Sequence, residues 1–145
     1  MATMVPSLTV EEIAAIPSRA EAKVYQAFRD KLPKDFLVFH SLKWILRSDS
    51  GKARDGEADF LICAGERALL IVEVKGGGIQ VDVATQSWTS IDAQGTRHPI
   101  KNPFDQAQSA KYAIRAKLRE HNQWTRDHEK LPLGHAVFFP DLRDV

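Results

Sequence analysis

Two short acidic strands separated by a turn constrain this chain more than anything else in it. The first is Glu57-Ala58-Asp59-Phe60-Leu61-Ile62. The second is the apolar run Leu69-Leu70-Ile71-Val72, closed by Glu73-Val74-Lys75 and three glycines, Gly76 to Gly78. Continuous apolar runs of this length, rich in Leu, Ile and Val, suit strands buried on both faces. Alternate residues of a strand share a face, so Glu73 and Lys75 point one way while Val74 turns into the core, and Glu57 and Asp59 likewise share a face. If Ala64-Gly65-Glu66-Arg67 turns the chain back on itself, carboxylates and an ammonium meet at one edge of a sheet.

That meeting has chemical content. Carboxylates collect a hard divalent cation such as Mg²⁺ or Mn²⁺, and a lysine beside them can stand next to an attacking water or a scissile phosphate. The pattern suits metal-dependent phosphodiester cleavage. A solvated Glu–Lys ion pair at a strand end is the plainer reading of Glu73 and Lys75. Asp59 on the preceding strand and the glycine triplet favour the functional one, because glycines let the backbone leave the strand without crowding what approaches.

The remaining chain supplies an α/β frame. Residues 1–9 read as a loose lead-in. Thr9 with Glu12, and Ser18 with Glu21, are capping-box patterns, each opening a helix, with Pro17 between them. Ala20, Val24, Ala27, Phe28 and Leu32 give the second helix one apolar face. A strand follows at Phe36-Leu37-Val38-Phe39-His40, then a polar loop over residues 43–56 with Ser50-Gly51 and Asp55-Gly56 as breakers. Beyond the acidic strands, residues 79–83 and 88–91 form an exposed hairpin, whose edge could pair with a second copy to make a homodimer. Asn102-Pro103 opens the last long helix, with Ala107, Ala110, Ile114 and Leu118 facing the core. Residues 134–139 make a final strand stopped by Pro140. The order is α, β, β, β, small hairpin, α, β.

Composition narrows the function classes. At 145 residues with 43% hydrophobic content, the chain suits one domain with a sizeable core. No apolar stretch approaches the ~18–20 residues of a membrane-spanning helix, and the first residues lack a basic segment followed by an apolar one. The single cysteine, Cys63, cannot form an internal disulfide and fits a reducing cytoplasm. A net charge of +1 leaves no bulk attraction for nucleic acid, so any such binding must be local. Lys52 and Arg54 in the polar loop, and Lys111 and Arg115 on the last helix, are the candidates. With Arg119, the last two form a stripe at i, i+4 and i+8. The five histidines show no zinc spacing, and no P-loop or nucleophile elbow is present. Trp44, Trp88 and Trp124 read as packing residues.

Five segments in register resemble the nuclease-related domain (NERD) family of the PD-(D/E)XK nuclease superfamily. They are Ser18-Arg19-Ala20-Glu21 with Tyr25, the strand from Glu57, Ile71 through Gly77, Trp88, and Asn102-Pro103-Phe104-Asp105-Gln106. The resemblance covers residues 18–140, leaving 1–17 as a lead-in and 141–145 as a stub expected to continue into a longer, helicase-like protein. It implies a restriction-endonuclease-like core: a central mixed sheet flanked by helices, with an extra hairpin. It implies Asp59 and Glu73 as ligands of Mg²⁺ or Mn²⁺, with the Val74 carbonyl as a third. Lys75 is then the catalytic lysine, Glu21 reaches the same metal from the first helix, and Gln106 lines the pocket. The implied substrate is DNA, with RNA left open. Alternatives persist at three places, beside one departure from the superfamily pattern. Glu57 could assist or replace Asp59, and Glu21 could serve only its capping box. Gln108 with Tyr112 fits a related exonuclease pattern, and Ala58 stands where the superfamily usually has Pro. A binding module that grips nucleic acid or a partner without cutting is the competing function.

Overall fold

The structure, a computed structural model, describes residues 1–47 and 53–143; within the long hairpin the side chains of residues 45–47 and 53–55 are not described. Eight strands and four helices follow one another as β1 (Thr3–Val5), α1 (Val10–Ala14), α2 (Arg19–Lys31), β2 (Phe36–Arg47), β3 (Ala53–Ala64), β4 (Leu69–Val74), β5 (Gly78–Asp82), β6 (Ser87–Ile91), β7 (Arg97–Ile100), α3 (Pro103–Arg119), α4 (Arg126–Glu129) and β8 (Leu133–Phe138). The main sheet has the order β1-β2-β3-β4-β8, and β5-β6-β7 make a separate antiparallel sheet. In the main sheet β1 runs parallel to β2 and β4 parallel to β8, while the β2-β3 and β3-β4 pairs are antiparallel. This mixed sheet between helices is the restriction-endonuclease-like arrangement the sequence implied.

Each face of the sheet buries its own cluster. On one face Val38, Phe60, Ile62, Val72 and Val74 pack with Ile13 of α1 and with Val24, Tyr25 and Phe28 of α2. On the other, Leu61 and Ile71 pack with Ala110 and Ile114 of α3. Phe60, Ile71 and Val72 are fully buried, and each such side chain contributes about 1.5–3 kcal/mol through removal from water. Burial on both faces explains why β4 reads as an unbroken apolar run.

The helix starts follow their caps. Thr9 and Glu12 form a reciprocal capping box on α1. Asn102 accepts the Phe104 amide with Pro103 in the first turn of α3. Buried Tyr25 ties α2 to the lead-in: its hydroxyl accepts from the Leu8 amide at 3.0 Å and donates to the Pro6 carbonyl at 2.8 Å.

Several expectations change. The first residues are not loose: β1 adds to the edge of β2, and Ala2 and Met4 are buried. Ala27 is only half-buried, and Tyr25 takes its place on the apolar face of α2. The polar loop expected at 43–56 is mostly strand, since β2 continues to Arg47 and β3 begins at Ala53. Gly56 is no breaker. It lies opposite Trp44 in the ladder, where a Cβ would sit 2.0 Å from the indole Nε1. The missing side chain gives the indole its seat, a cross-strand pairing that offsets the weak strand propensity of glycine. Ser50, Gly51 and Lys52 lie outside the described residues. The exposed hairpin gains a third strand, β7, and the polar stretch around Trp124 contains the short α4.

Candidate functional site

The alternation of β2 and β3 slips by one residue at the same level of the sheet. Phe36 and Val38 pack on the α2 face, yet Leu42 and Trp44, also even-numbered, pack on the α3 face. On β3, Phe60 and Ile62 join the α2 face while Ala58 joins the α3 face. The slip coincides with Ser41, whose φ of 55° is left-handed, and with a gap in the ladder between the pairs His40–Phe60 and Leu42–Ala58. Asp59 occupies that gap. Its carboxylate is released from the regular pleat, and Oδ2 accepts the Val74 amide at 2.8 Å. That donor lies just beyond Phe60–Val72, the last pair of the β3–β4 ladder.

Glu73 follows Val72 on the α3 side and is buried at 8% exposure, the one buried charged residue among those described. Lys75 Nζ approaches its Oε1 at 3.3 Å. The Lys75 backbone is fixed from the other side, where its amide donates to the Phe138 carbonyl of β8 at 3.0 Å. Burial, followed by the charge of Glu73, raises the Asp59 pKa to about 7, against the Val74 amide and Lys75, which favour ionisation. Burial also raises Glu73, opposed first by Lys75. A hydrogen bond to Asp59 favours the ionised form of Glu73.

Glu21 comes from the opposite face. Ser18 caps α2 by accepting the Glu21 amide at 3.1 Å. The Glu21 carboxylate does not complete that box; it turns to His40 Nε2 at 3.0 Å. Its charge still raises both Asp59 and Glu73, which places it beside the pair. His40 is itself half-buried, its ring 4.8 Å from that of Phe60 and edge-on to Tyr25 at 5.6 Å. Sequence reading missed His40. The available signal was a polar residue at the inner end of an apolar strand.

Between α3 and the sheet lies a cleft of ≈ 1060 Å³, reaching from Trp44 and Glu57 past Asp59 and Glu73 to Gln106 and Tyr112. Gln106 therefore lines the site, and its Oε1 is buried without a partner among the described residues. Gln108 is exposed and does not line the cleft, whereas Tyr112 does. Glu57 also lines it but is exposed and accepts from the Ser41 hydroxyl at 3.3 Å. Lys111 and Arg115 are not among the lining residues, and Arg119 is tied to Glu129 through two hydrogen bonds of 2.7 and 2.9 Å. The cation that does line the cleft is Lys101, which the sequence did not single out. Lys52 lies outside the described residues, and Arg54 belongs to β3 with its side chain undescribed.

The glycine triplet has a role inside the fold. Gly77 has φ of 76°, a Cβ there would meet the Ile91 carbonyl oxygen at 2.5 Å, and its amide donates to Asp141 Oδ2 at 2.8 Å. Asp141 is in turn paired with Lys23 of α2. The glycines thus let the chain turn tightly from β4 towards the small sheet, and the expected stub after Pro140 clamps that turn.

Among the described residues no three His, Cys, Asp or Glu side chains converge as a ready-made metal cluster, and no helix is long and apolar enough to cross a membrane. No curated protein and no solved structure matches the chain. Its residues 16–140 match the nuclease-related domain family, NERD, and the chain belongs to that family.

Proposed function

We propose that this member of the nuclease-related domain family hydrolyses phosphodiester bonds in DNA, using Asp59, Glu73 and Lys75 with a divalent cation, Mg²⁺ or Mn²⁺. The observation that carries the reading is the Asp59–Glu73 pair, two carboxylates brought together at the buried end of a sheet with an ammonium 3.3 Å from one of them. Such an arrangement is costly unless a cation compensates it, and strongly raised pKa values in a cleft mark functional sites.

The donor chemistry fits a small hard cation. Asp59 and Glu73 offer carboxylate oxygens, the Val74 carbonyl is a neutral third donor, and Gln106 brings into the same cleft an amide oxygen with no partner among the described residues. Asp59, Glu73 and the Val74 carbonyl would hold the ion, with Glu21 beside them. When bound, the ion supplies Lewis-acid polarisation of the phosphoryl oxygen and a lower pKa for water. Lys75 orients the attacking water or offsets the charge that develops on the phosphate. Glu73 keeps that ammonium in place. His40 holds the Glu21 carboxylate in one orientation. Gln106 positions the substrate from α3. The stripe of Lys111 and Arg115, with Lys52 and Arg54, would contact the DNA backbone outside the cleft. Service to an attached helicase-like domain in DNA processing, in the cytoplasm, is part of the same proposal.

A second reading is a module that binds nucleic acid or a partner without cutting it. It is favoured by the lack of a three-ligand cluster among the described residues. Labelled single- and double-stranded DNA incubated with Mg²⁺, Mn²⁺ or EDTA separates the two. Metal-dependent cutting that disappears in Lys75→Ala and Asp59→Ala supports the nuclease. Binding without cutting, indifferent to metal, supports the module.

A further inference from the structure

The walls of the cleft differ from those of a groove built to hold a double helix by its phosphates. Among its described lining residues Lys101 is the one cation, against the carboxylates of Glu57, Asp59, Glu73 and Asp105. Duplex binding rests on several Lys and Arg contacts to the backbone, and the described lining of the cleft itself holds one such cation. Aromatic side chains occupy the lining instead. Trp44 comes from β2 and Tyr112 from α3, and Tyr112 is 55% exposed, with the Lys111 ammonium 5.1 Å from its ring centroid.

Trp44 is also fixed in place. Its Nε1 and Cε2 lie 2.0 and 2.2 Å from where a Gly56 Cβ would stand, so the indole rests directly on the β3 backbone. Its Nε1 is buried against that backbone without a partner among the described residues, while Trp44 still lines the cleft. An indole seated in this way loses little entropy on contact with a ligand, and the part of it that lines the cleft is open to one. Stacking on aromatic residues is how nucleic-acid strands are held where bases are unpaired, and it tolerates any sequence. A volume of ≈ 1060 Å³ is of the size that holds small ligands, about 300–1,000 Å³. It has room for a short piece of one strand.

We propose that the cleft between Trp44 and Tyr112 takes unpaired bases, so that single-stranded DNA, or a frayed or displaced strand, is the form delivered to Asp59 and Glu73. The proposal rests on the nuclease reading for the cutting step but not for the binding step. Base stacking brings the backbone to the acidic end of the cleft without many phosphate contacts, and the carboxylates there leave the phosphodiester to be met by a cation and Lys75.

The test uses the 145-residue chain carrying Trp88→Phe and Trp124→Phe, which leaves Trp44 as its one indole. In EDTA, where metal-dependent cutting is suppressed, its fluorescence is titrated with a mixed-sequence single strand, the matching blunt duplex and inorganic phosphate. Quenching by the single strand alone is the expected result. Tyr112→Ala, at an exposed position, should weaken single-strand binding roughly 5- to 150-fold, the range of one lost stacking contact, without moving Tm. Equal quenching by duplex, quenching by phosphate, or no quenching by any of the three overturns the proposal. An unchanged single-strand affinity in Tyr112→Ala does so too. Metal-dependent cutting of duplex with no Trp44 response leaves the nuclease standing and removes this inference. Single-strand quenching without any metal-dependent cutting does the reverse.

Discussion

Asp59 and Glu129 carry the same functional group, and the fold shifts them in opposite directions. Asp59 is drawn into the sheet beside Glu73, and burial with like charge lifts its pKa to about 7. Glu129 sits on the surface at the far end of α3, where Arg119 and then the Trp124 indole donate to it and hold its pKa down to about 2. The surface carboxylate is satisfied by the chain itself. The buried one is left short of positive charge, with one lysine serving Glu73 and an amide serving Asp59. Exposed ion pairs of the first kind fasten a loop and do little else. A deficit of the second kind is retained where something from outside completes it. The contrast is what the proposal of chemistry at the Asp59 end of the molecule rests on.

The largest test of the contrast is activity. Asp59→Ala and Lys75→Ala should each reduce DNA cutting by about 10²–10³-fold or more, the scale of losing a preorganised charge at a reacting phosphate, whereas Glu129→Gln should cut like wild type. Matching losses in all three variants on a labelled-substrate assay would break the contrast. A smaller effect is expected at His40. His40→Ala frees the Glu21 carboxylate without removing it, and loss of a residue that orients a site carboxylate costs about 10–100-fold. Rescue by His40→Gln, which can still donate to Glu21, would separate orientation from packing.

Stability against pH sharpens the same comparison. A carboxyl with a folded pKa of about 7 and an unfolded value near 3.9 holds an extra proton in the folded state between those limits. Stability in EDTA is therefore full below about pH 4 and declines as pH rises to about 7, by on the order of 2 kcal/mol once partial exposure is allowed for. Asp59→Asn has no charge to bury and keeps an acceptor for the Val74 amide. It should flatten that decline and melt above wild type at pH 8 in thermal scans. Excess Mg²⁺ should raise the wild-type Tm and leave the variant nearly unmoved.

The two regions were unequally legible in the sequence. Asp59, Glu73 and Lys75 could be placed because strand alternation and a tight turn are local rules, and β3 and β4 are joined by four residues, 65–68. The caps of α1, α2 and α3 were readable for the same reason. The slip at Ser41 was not, since a left-handed φ at a serine leaves no mark in composition, and without it the release of Asp59 from the pleat cannot be foreseen. The Glu21–His40 contact joins residues nineteen apart on different elements. Asp141 reaches Gly77 across sixty-four positions. Gly56 was misread because a glycine that seats a tryptophan looks, in sequence, like a glycine that breaks a strand. Glu129 gave no signal, because its partners Arg119 and Trp124 meet it only once α4 has formed.

The smallest expected effect lies at that surface cluster, and it tests whether good geometry alone makes an ion pair matter. Glu129 accepts from Arg119 Nε at 2.7 Å, from its terminal nitrogen at 2.9 Å and from Trp124 Nε1 at 2.6 Å. Two parallel bonds to a guanidinium are the best case for an exposed pair. Yet both side chains remain open to water, with exposures of 53% for Arg119 and 36% for Glu129, and water and salt screen what they gain. Glu129→Gln keeps an acceptor for the indole and loses the charge. Its Tm should stay within about 2 °C of wild type, and the small difference should shrink further in 1 M salt. A drop as large as the gain expected from Asp59→Asn would mean that α4 and the end of α3 depend on this pair. The contrast between a satisfied surface and a deficient site would then have to be drawn elsewhere.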